Sequence, residues 1–206
     1  MSRQQQAKSK RALRVLAVVG SLGRESVTRR ILREICRQLR ERNCEADLLD
    51  FQQEPLPLFN PDTAFEAPGF AALRERVTRA DALVLGSPDY HGSMSSAMKS
   101  FLDHFWKEFA GKLIATVVVS HEKGLTVSDQ LRTVARQCNA WTLPYAVSVH
   151  AAESVQSGKI VDAALRRRLR MLARDVAVYG ALLARQRRAD LAGTDTGFLA
   201  RMRNAK

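Results

Sequence analysis

The sequence alternates between short aliphatic runs and segments in which apolar residues recur every three or four positions. Aliphatic runs bounded by turn residues are typical of strands buried on both faces, and the longer recurrence is typical of helices. Five runs predict five buried strands, at residues 15–19, 46–49, 82–85, 113–119 and 146–149. Because helices alternate with them, we expect a three-layer α/β/α fold with a doubly wound parallel sheet in the flavodoxin-like order 2-1-3-4-5.

The third of the predicted helices carries the widest apolar face. Its apolar residues are Ala97, Met98, Phe101, Leu102, Phe105, Trp106 and Phe109. A stripe of this width either faces the core or forms a contact between subunits, and the sequence leaves both open. The other predicted helices lie around residues 27–39, 70–77, 125–138 and 165–183.

The length of the chain fits one domain. With 206 residues, 46% of them hydrophobic, it can bury a sizeable core without disulfides. We expect a disordered basic lead at residues 1–11, a domain at 12–188 and a C-terminal extension at 189–206. The Pro-rich segment 50–68 predicts a long functional loop.

The cysteines and the hydropathy pattern bear on the cellular environment. Cys36, Cys44 and Cys138 are widely spaced, with no histidine at metal-ligand spacing, which predicts reduced thiols and no metal site. No apolar stretch approaches the roughly 20 residues that a membrane span needs, and no cleavage-site pattern follows the first aliphatic run. We expect a cytoplasmic protein without membrane association.

The formal net charge of +12 calls for an explanation. A basic balance is compatible with nucleic acid, an acidic surface or an anionic small molecule. Many of the arginines alternate with leucines in the last predicted helix, which is typical of a solvated face. Aromatic residues do not interleave with the charges and no zinc-finger or RNP pattern occurs, so we expect no nucleic-acid partner and favour steering of phosphorylated ligands.

The segment after the first predicted strand, GSLGRESVTRR, is rich in groups that bind phosphate. Gly20 permits a sharp exit from the strand, and Ser26 is placed to cap the following helix, whose first free amides attract an anion. Ser21, Thr28 and Arg24 add hydroxyl donors and a positive charge. Simple helix capping explains Ser26 alone. The segment lacks a Walker A or GxGxxG pattern, so the sequence predicts a phosphate site of another kind.

The segment after the third predicted strand, GSPDYHGS, has the composition of a turn with exposed aromatic groups. Pro88 and Gly92 shape the turn, and Tyr90 and His91 can lie against a flat ring. In the predicted strand order, this segment and the first loop meet at the point where the strand order reverses. An ordinary Pro-Gly turn is the alternative.

Both segments together resemble the NAD(P)H-dependent FMN reductases, a flavodoxin-like family that includes quinone, azo-dye and chromate reductases. The family pattern GSxRxxSxN is matched in register at Gly20, Ser21 and Ser26. Arg24 stands one place after the arginine position, and Thr28 replaces the asparagine. The second pattern, SPxYNxSxxxxLKNxxD, has His91 at its asparagine position and is otherwise matched at Ser87, Pro88, Tyr90, Ser93, Lys99 and Asp103.

The resemblance implies an oxidoreductase that passes hydride from NADPH or NADH through bound FMN to a small-molecule acceptor: a quinone, an azo compound, a metal oxyanion or free flavin. It places the FMN phosphate on Ser21, Arg24, Ser26 and Thr28. It places the flavin ring along Pro88, Asp89, Tyr90, His91, Gly92 and Ser93, and a third family loop adds Ser120 and His121. No side chain is expected to act as an obligatory acid or base, because the cofactor carries the chemistry.

The resemblance also implies a homodimer or homotetramer that shares the flavin site. The alternative function is a non-enzymatic flavodoxin-like module, either an FMN-binding electron carrier or a basic nucleic-acid-binding protein. A carrier is usually acidic, and a nucleic-acid module leaves both loop motifs unexplained.

Overall fold

The computed structural model describes residues 11–203, so residues 1–10 of the expected basic lead and residues 204–206 lie outside the described part. The strands of the main sheet are β1 Arg14–Val19, β2 Glu45–Asp50, β3 Ala82–Tyr90, β4 Ser93–Met94, β5 Leu113–Ser120, β6 Trp141–Thr142 and β7 Val147–His150. The parallel strands follow the order β2-β1-β3-β5, and β6 and β7 both pair with the free edge of β5. The predicted order 2-1-3-4-5 is confirmed, with the fifth position shared by two short strands.

The division of that fifth position has a local cause. β6 pairs with the start of β5 and β7 with its end, and Pro144 lies between the two short strands. Proline has no backbone N–H to donate to a ladder, so a continuous strand is interrupted there. The predicted strand at 146–149 corresponds to β7, and β6 was not predicted.

Helices cover both faces of the sheet. They are α1 Val27–Arg40, α2 Phe70–Arg79, α3 Ser96–Asp103, α4 Leu125–Gln137, α5 Ala151–Ser154 and α6 Ala163–Ala192. Alternate residues of β1 face opposite layers: Val15 and Ala17 pack with α1 and α6, whereas Leu16 and Val18 pack with α2, α3 and α4. The expected three-layer arrangement is confirmed. None of these helices combines the length and hydrophobicity that crossing a membrane requires.

The third helix ends earlier than its apolar pattern predicts. α3 stops at Asp103, and a short 3-10 turn at Lys107–Phe109 follows, so the prediction of a helix through residue 109 is wrong. The turn returns Phe105 and Phe109 to the core beside Phe101, with ring centroids 5.2 to 6.0 Å apart. Burial of three aromatic rings outweighs continuation of the helix. Trp106 is 55% exposed, so the wide stripe belongs mainly to the core.

The C-terminal part of the chain packs on the domain. α6 continues past residue 188 to Ala192. Beyond it Leu199 is 2% exposed, and a Cβ added at Gly111 would lie 2.7 Å from the Leu199 side chain. Phe198 meets Trp141 edge to face, with ring centroids 6.0 Å apart. Residues 198–201 therefore lie against the amino ends of the strands, opposite the edge where the predicted ligand loops lie.

The cysteines are buried free thiols. Cys36, Cys44 and Cys138 form no disulfide. Burial raises the pKa of the Cys36 thiol to about 11, which keeps it protonated and unreactive near neutral pH.

A short hairpin, β8 Val155–Gln156 with β9 Lys159–Ile160, precedes α6 and was not predicted.

Candidate functional site

The loops that follow β1 and β3 meet at the carboxyl edge of the sheet. The Gly20 N–H donates to the Gly86 carbonyl at 2.8 Å, and the Ser95 hydroxyl donates to the Gly20 carbonyl at 2.5 Å. A Cβ at Gly20 would lie 2.9 Å from the Met98 Cβ, so glycine is required for this close approach. β1 leads to a helix on one face and β3 to a helix on the other, and this change of face is where ligands bind in open α/β sheets.

The first loop presents backbone N–H donors that the described part of the chain leaves unused. The N–H groups of residues 21–25, and those of Val27 and Thr28 in the first turn of α1, have no hydrogen-bond acceptor within residues 11–203. Residues 22–25 are exposed, so their N–H groups face solvent, and an anion at a helix start can accept from several such donors at once. The loop therefore has the donor set of a phosphate site.

Hydroxyl groups stand among these donors. Ser21, Ser26 and Thr28 are 6%, 7% and 2% exposed. Ser26 is the N-cap of α1, as expected, and its Oγ accepts the Arg29 N–H at 3.1 Å. Since the oxygen accepts, the hydroxyl hydrogen of Ser26 can still donate to a ligand. The Thr28 methyl faces Gly86, where an added Cβ would lie 2.9 Å away.

A buried ion pair that was not predicted lies beneath the first loop. Arg29 and Asp50 are 5% and 2% exposed, and their two contacts are Nε to Oδ2 at 2.5 Å and Nη2 to Oδ1 at 3.1 Å. The same guanidinium donates to the carbonyls of Gly23 at 2.8 Å, Arg24 at 3.0 Å and Ser21 at 3.5 Å. The only sequence signal for this arrangement was an acidic residue at the end of the second strand, with nothing to connect it to α1.

Arg24 lies at the rim of the first loop. Its side chain is exposed, and its backbone carbonyl, which accepts from Arg29, is what ties it to the loop. The displacement by one residue from the family pattern thus leaves a long side chain at the rim, where it can approach an anion but is not held by the described part of the protein. The first loop is built on backbone groups and hydroxyls.

The predicted turn after β3 is a tight two-residue hairpin. Tyr90 pairs with Ser93, and His91 and Gly92 between them have φ values of 56° and 76°. Two successive positive φ values define a type I′ turn, which favours Asn or Gly at the first position. His91 therefore occupies a left-handed conformation in which the family's asparagine is more favourable.

Two polar side chains hold this hairpin, Asp89 from within β3 and Gln130 from α4. The Asp89 carboxylate accepts the Gly92 N–H at 2.8 Å. Gln130, on α4, accepts from the Met94 N–H at 3.1 Å and the Ser93 hydroxyl at 3.2 Å. The hydroxyl of Ser93 is thus already used within the protein. Gln130 was not predicted, because no local pattern connects α4 to the hairpin.

The third loop completes an open cleft at the same edge. Ser120 donates to Asp89 at 3.1 Å and accepts the Glu122 N–H at 3.1 Å, so its hydroxyl links two loops and its hydrogen is already used. His121 is exposed at the rim, with its ring 6.4 Å from that of His150. The cleft has a volume of about 720 Å³ and is lined by Asp89, His91, Gly92 and residues 120–126. Gly124, with φ of 60°, begins α4, whose first N–H groups border the cleft.

The structure therefore brings the predicted residues to one edge, in two adjoining regions. Ser21, Ser26 and Thr28 lie at the first loop, with Arg24 at its rim. Pro88 is buried, Tyr90 is 55% exposed, and the hairpin residues stand between the first loop and the cleft. Size, donors and adjacent flat side chains suit a phosphorylated planar ligand.

Comparison with known proteins gives this edge a context. A model of the family described as NADPH-dependent FMN reductase matches residues 13–154, which contain the first loop, the hairpin and the third loop. The FMN-dependent NADPH-azoreductase of Staphylococcus aureus (strain USA300) is 25% identical over 146 residues, covering 67% of this chain and 77% of that relative.

Two solved structures share the fold. The flavoenzyme FerB, an NAD(P)H:(acceptor) oxidoreductase from Paracoccus denitrificans, has a TM-score of 0.65 and 18% identity, and the match covers 85% of this chain and 98% of FerB. The NADH:FMN oxidoreductase EMOB in its apo form has a TM-score of 0.63 and 16% identity, covering 83% and 89%. From the match over residues 13–154, this chain belongs to the NADPH-dependent FMN reductase family.

Proposed function

We propose that this protein, by family an FMN-dependent NAD(P)H oxidoreductase, binds the FMN phosphate in the first loop and the flavin ring at the hairpin and the cleft. The observation that carries the proposal is the set of N–H groups at residues 21–25 that lack an acceptor within residues 11–203. A dianionic phosphate fits such a donor set better than a neutral ligand, because hydrogen bonds to a charged acceptor are stronger.

The phosphate would be held mainly by neutral groups. The hydroxyls of Ser21, Ser26 and Thr28 add to the backbone donors, and the start of α1 contributes the positive end of its dipole. Arg24 lies at the rim and can add a charge-assisted contact. In this arrangement the backbone and hydroxyl groups of the loop orient the phosphate, and the long Arg24 side chain has a secondary role.

The ring would lie along Pro88, Asp89, Tyr90, His91, Gly92 and Ser93, next to Ser120 and His121. The hydrogen bonds of Asp89 and Gln130 fix the hairpin that supports it. Asp89 and Ser120 join the hairpin to the third loop, which sets the width of the cleft. These residues would hold and orient FMN, which when bound would supply the redox chemistry between the nicotinamide and the acceptor. The N–H groups at the start of α4 are placed to stabilise negative charge that develops within the cleft.

The acceptor is proposed to be a small molecule, and the open cleft suits planar compounds of several classes. Among quinones, azo compounds, metal oxyanions and free flavin, the name of the Staphylococcus aureus relative favours azo compounds. The test is steady-state oxidation of NADPH and of NADH by the FMN-loaded protein with one acceptor of each class. FMN-dependent turnover with at least one acceptor supports the proposal, and a protein that neither binds FMN nor oxidises either nucleotide refutes it.

A homodimer or homotetramer is proposed for the active form, without a nucleic-acid partner. Large apolar side chains are exposed at Leu58 (78%), Phe65 (59%) and Trp106 (55%), as expected of a surface that packs against another copy. Light scattering on the FMN-loaded protein tests this. A monomer at all concentrations would contradict it.

A further inference from the structure

Arg29 and Asp50 form a buried pair that touches the first loop from below. Their side chains are 6% and 3% exposed, so both charges are removed from water. Burial of two charges costs free energy unless the geometry is good and the remaining donors are satisfied. Here the guanidinium is bidentate to the carboxylate and also reaches backbone carbonyls of the loop.

The contacts of Arg29 determine which way the loop's peptide groups point. Its guanidinium binds the carbonyls of Ser21, Gly23 and Arg24. In a trans peptide the C=O of one residue and the N–H of the next point in opposite directions, and the described chain has no cis peptide. With those carbonyls turned inward, the N–H groups of Leu22, Arg24 and Glu25 turn outward. All three of these N–H groups lack an acceptor within residues 11–203.

The Arg29–Asp50 pair orients the peptide groups of the first loop and adds no net charge to the site. Asp50 neutralises the guanidinium, and the Asp50 carboxylate also accepts the Gln52 N–H at 3.2 Å, which anchors the start of the long loop. The backbone N–H of Arg29 donates to the Ser26 Oγ. The hydroxyl hydrogen of Ser26 can therefore still donate to a ligand. Every contact of Arg29 in this region therefore favours donors on the ligand side.

We propose that Arg29, held by Asp50, is the positioning residue that makes this site select phosphorylated flavin over riboflavin. The inference rests on the proposed FMN site and adds the cause of its selectivity. Arg29 does not contact the phosphate. It fixes the carbonyls of the loop so that the outward N–H groups converge on one anion, as in backbone nests that bind anions.

The test compares the dissociation constants of FMN and riboflavin by flavin fluorescence on flavin-free protein. Wild-type protein is expected to bind FMN more tightly. In Arg29→Lys and Arg29→Met the affinity for FMN should fall about 10- to 100-fold, because two or three hydrogen bonds to a charged group are weakened. The affinity for riboflavin should change by less than about threefold on the same grounds. Lysine keeps the charge but lacks the planar fork, so it should not restore selectivity.

Two further variants test whether a loss of selectivity comes from misfolding. The double variant Arg29→Met with Asp50→Leu removes both buried charges, and such replacements are often neutral for stability. It should fold, keep riboflavin binding and lose the preference for FMN. Arg37→Met is the matched control on the same helix: Arg37 is 56% exposed and pairs with Glu34 and Glu41, so this variant should keep the wild-type preference.

The outcomes separate this inference from the proposed function. If wild-type protein does not prefer FMN to riboflavin, the proposed phosphate site itself is wrong. If wild-type protein prefers FMN and the folded Arg29 variants keep that preference, only the role of Arg29 is overturned. A measurement without variants tests the phosphate site on which this role rests: FMN, but not riboflavin, should shift the amide NMR signals of Leu22, Arg24 and Glu25. Unshifted signals would overturn both the phosphate site and the role of Arg29.

Discussion

At the scale of single residues, the proposed phosphate site depends on hydroxyls and backbone donors more than on formal charge. Ser26 also has a structural role, because its oxygen caps α1 by accepting the Arg29 N–H. The Ser21 hydroxyl, by contrast, makes no hydrogen bond to any residue within 11–203. The two serines are therefore separable by their effects on folding and on ligand binding.

Replacement of both serines should weaken FMN binding selectively. We expect Ser21→Ala with Ser26→Ala to reduce the binding free energy of FMN by about 2 to 4 kcal/mol, taking about 1 to 2 kcal/mol for each hydrogen bond to phosphate. Loss of the cap should also lower the free energy of unfolding by about 1 kcal/mol. Calorimetric titration with FMN, and with riboflavin as the control ligand, measures both affinities. Unchanged FMN affinity would reject this phosphate site.

Single residues were predictable from the sequence where the signal was local. Gly20, Ser21 and Ser26 follow a strand and precede a helix, and that context alone indicates an anion site. Arg29 was not recognised, because its role depends on Asp50, which lies 21 residues away at the end of another strand. The pairing of β1 with β2 and the packing of α1 on both strands bring the two side chains together.

At the scale of elements, the hairpin after β3 carries a conformational cost at His91, whose φ of 56° is unfavourable for most side chains. We expect His91→Gly to raise the free energy of unfolding by about 1 kcal/mol, and the β-branched His91→Val to lower it by a similar amount. Urea unfolding measures both. The exposed His121, whose φ is not positive, provides the control, since His121→Val should change stability by less than about 0.5 kcal/mol. Equal effects at the two positions would contradict the strained turn.

The end of α2 depends on a buried lysine. Lys112 is 1% exposed, and its ammonium donates to the carbonyls of Val77 at 2.6 Å and Thr78 at 3.0 Å, in the last turn of α2. Burial lowers the pKa of Lys112 to about 7, and Arg187 nearby adds to the effect. The sequence carries no local sign of this arrangement, because it depends on contacts between Lys112 and the last turn of α2, which lies 34 to 35 residues away along the chain.

This lysine should make stability depend on pH. In the unfolded chain the pKa of Lys112 returns to its ordinary value of 10.5, so between about pH 7 and that value the unfolded state binds more protons than the folded state. The free energy of unfolding of the wild type, relative to Lys112→Met, should therefore rise with pH across this window. Urea unfolding at several pH values measures it, with the exposed Lys99→Met as control. A difference that stays flat or falls with pH would contradict the lowered pKa.

Elements were predictable from periodicity except where tertiary packing intervened. The aliphatic runs located β1, β2, β5 and β7 to within one residue at each end, whereas β3 continues five residues past its predicted end, to Tyr90. Periodicity failed after Asp103, where the apolar spacing continues but the rings of Phe105 and Phe109 reach the core through a 3-10 turn. It also missed β6, since two residues before a proline carry too little pattern to indicate a strand.

At the scale of the whole molecule, the net charge of +12 creates a field that attracts anionic ligands. The outer face of α6 contributes much of it, with exposed arginines at positions 166, 167, 168, 170 and 174. The covering of both sheet faces was predictable because alternating strands and helices permit few topologies, whereas the degree of exposure of each arginine required the structure.

This field should be visible in the salt dependence of turnover. NADPH carries one more phosphate than NADH, so its kcat/KM should fall more steeply as ionic strength rises from about 0.01 to 0.5 M, where the screening length shortens severalfold. Steady-state kinetics with both nucleotides and one uncharged quinone measure the two slopes. Identical slopes for NADPH and NADH would contradict steering by the basic surface.

We propose that FMN occupies the carboxyl edge of the sheet with its phosphate in the first loop. A crystal structure of the FMN complex would show where the phosphate binds. The phosphate oxygens should lie about 2.7 to 3.2 Å from the N–H groups of Leu22, Arg24 and Glu25, with the ring against the hairpin. A phosphate bound instead at the opposite edge, in the groove lined by Arg14, Arg40, Arg76 and Arg79, would contradict the account.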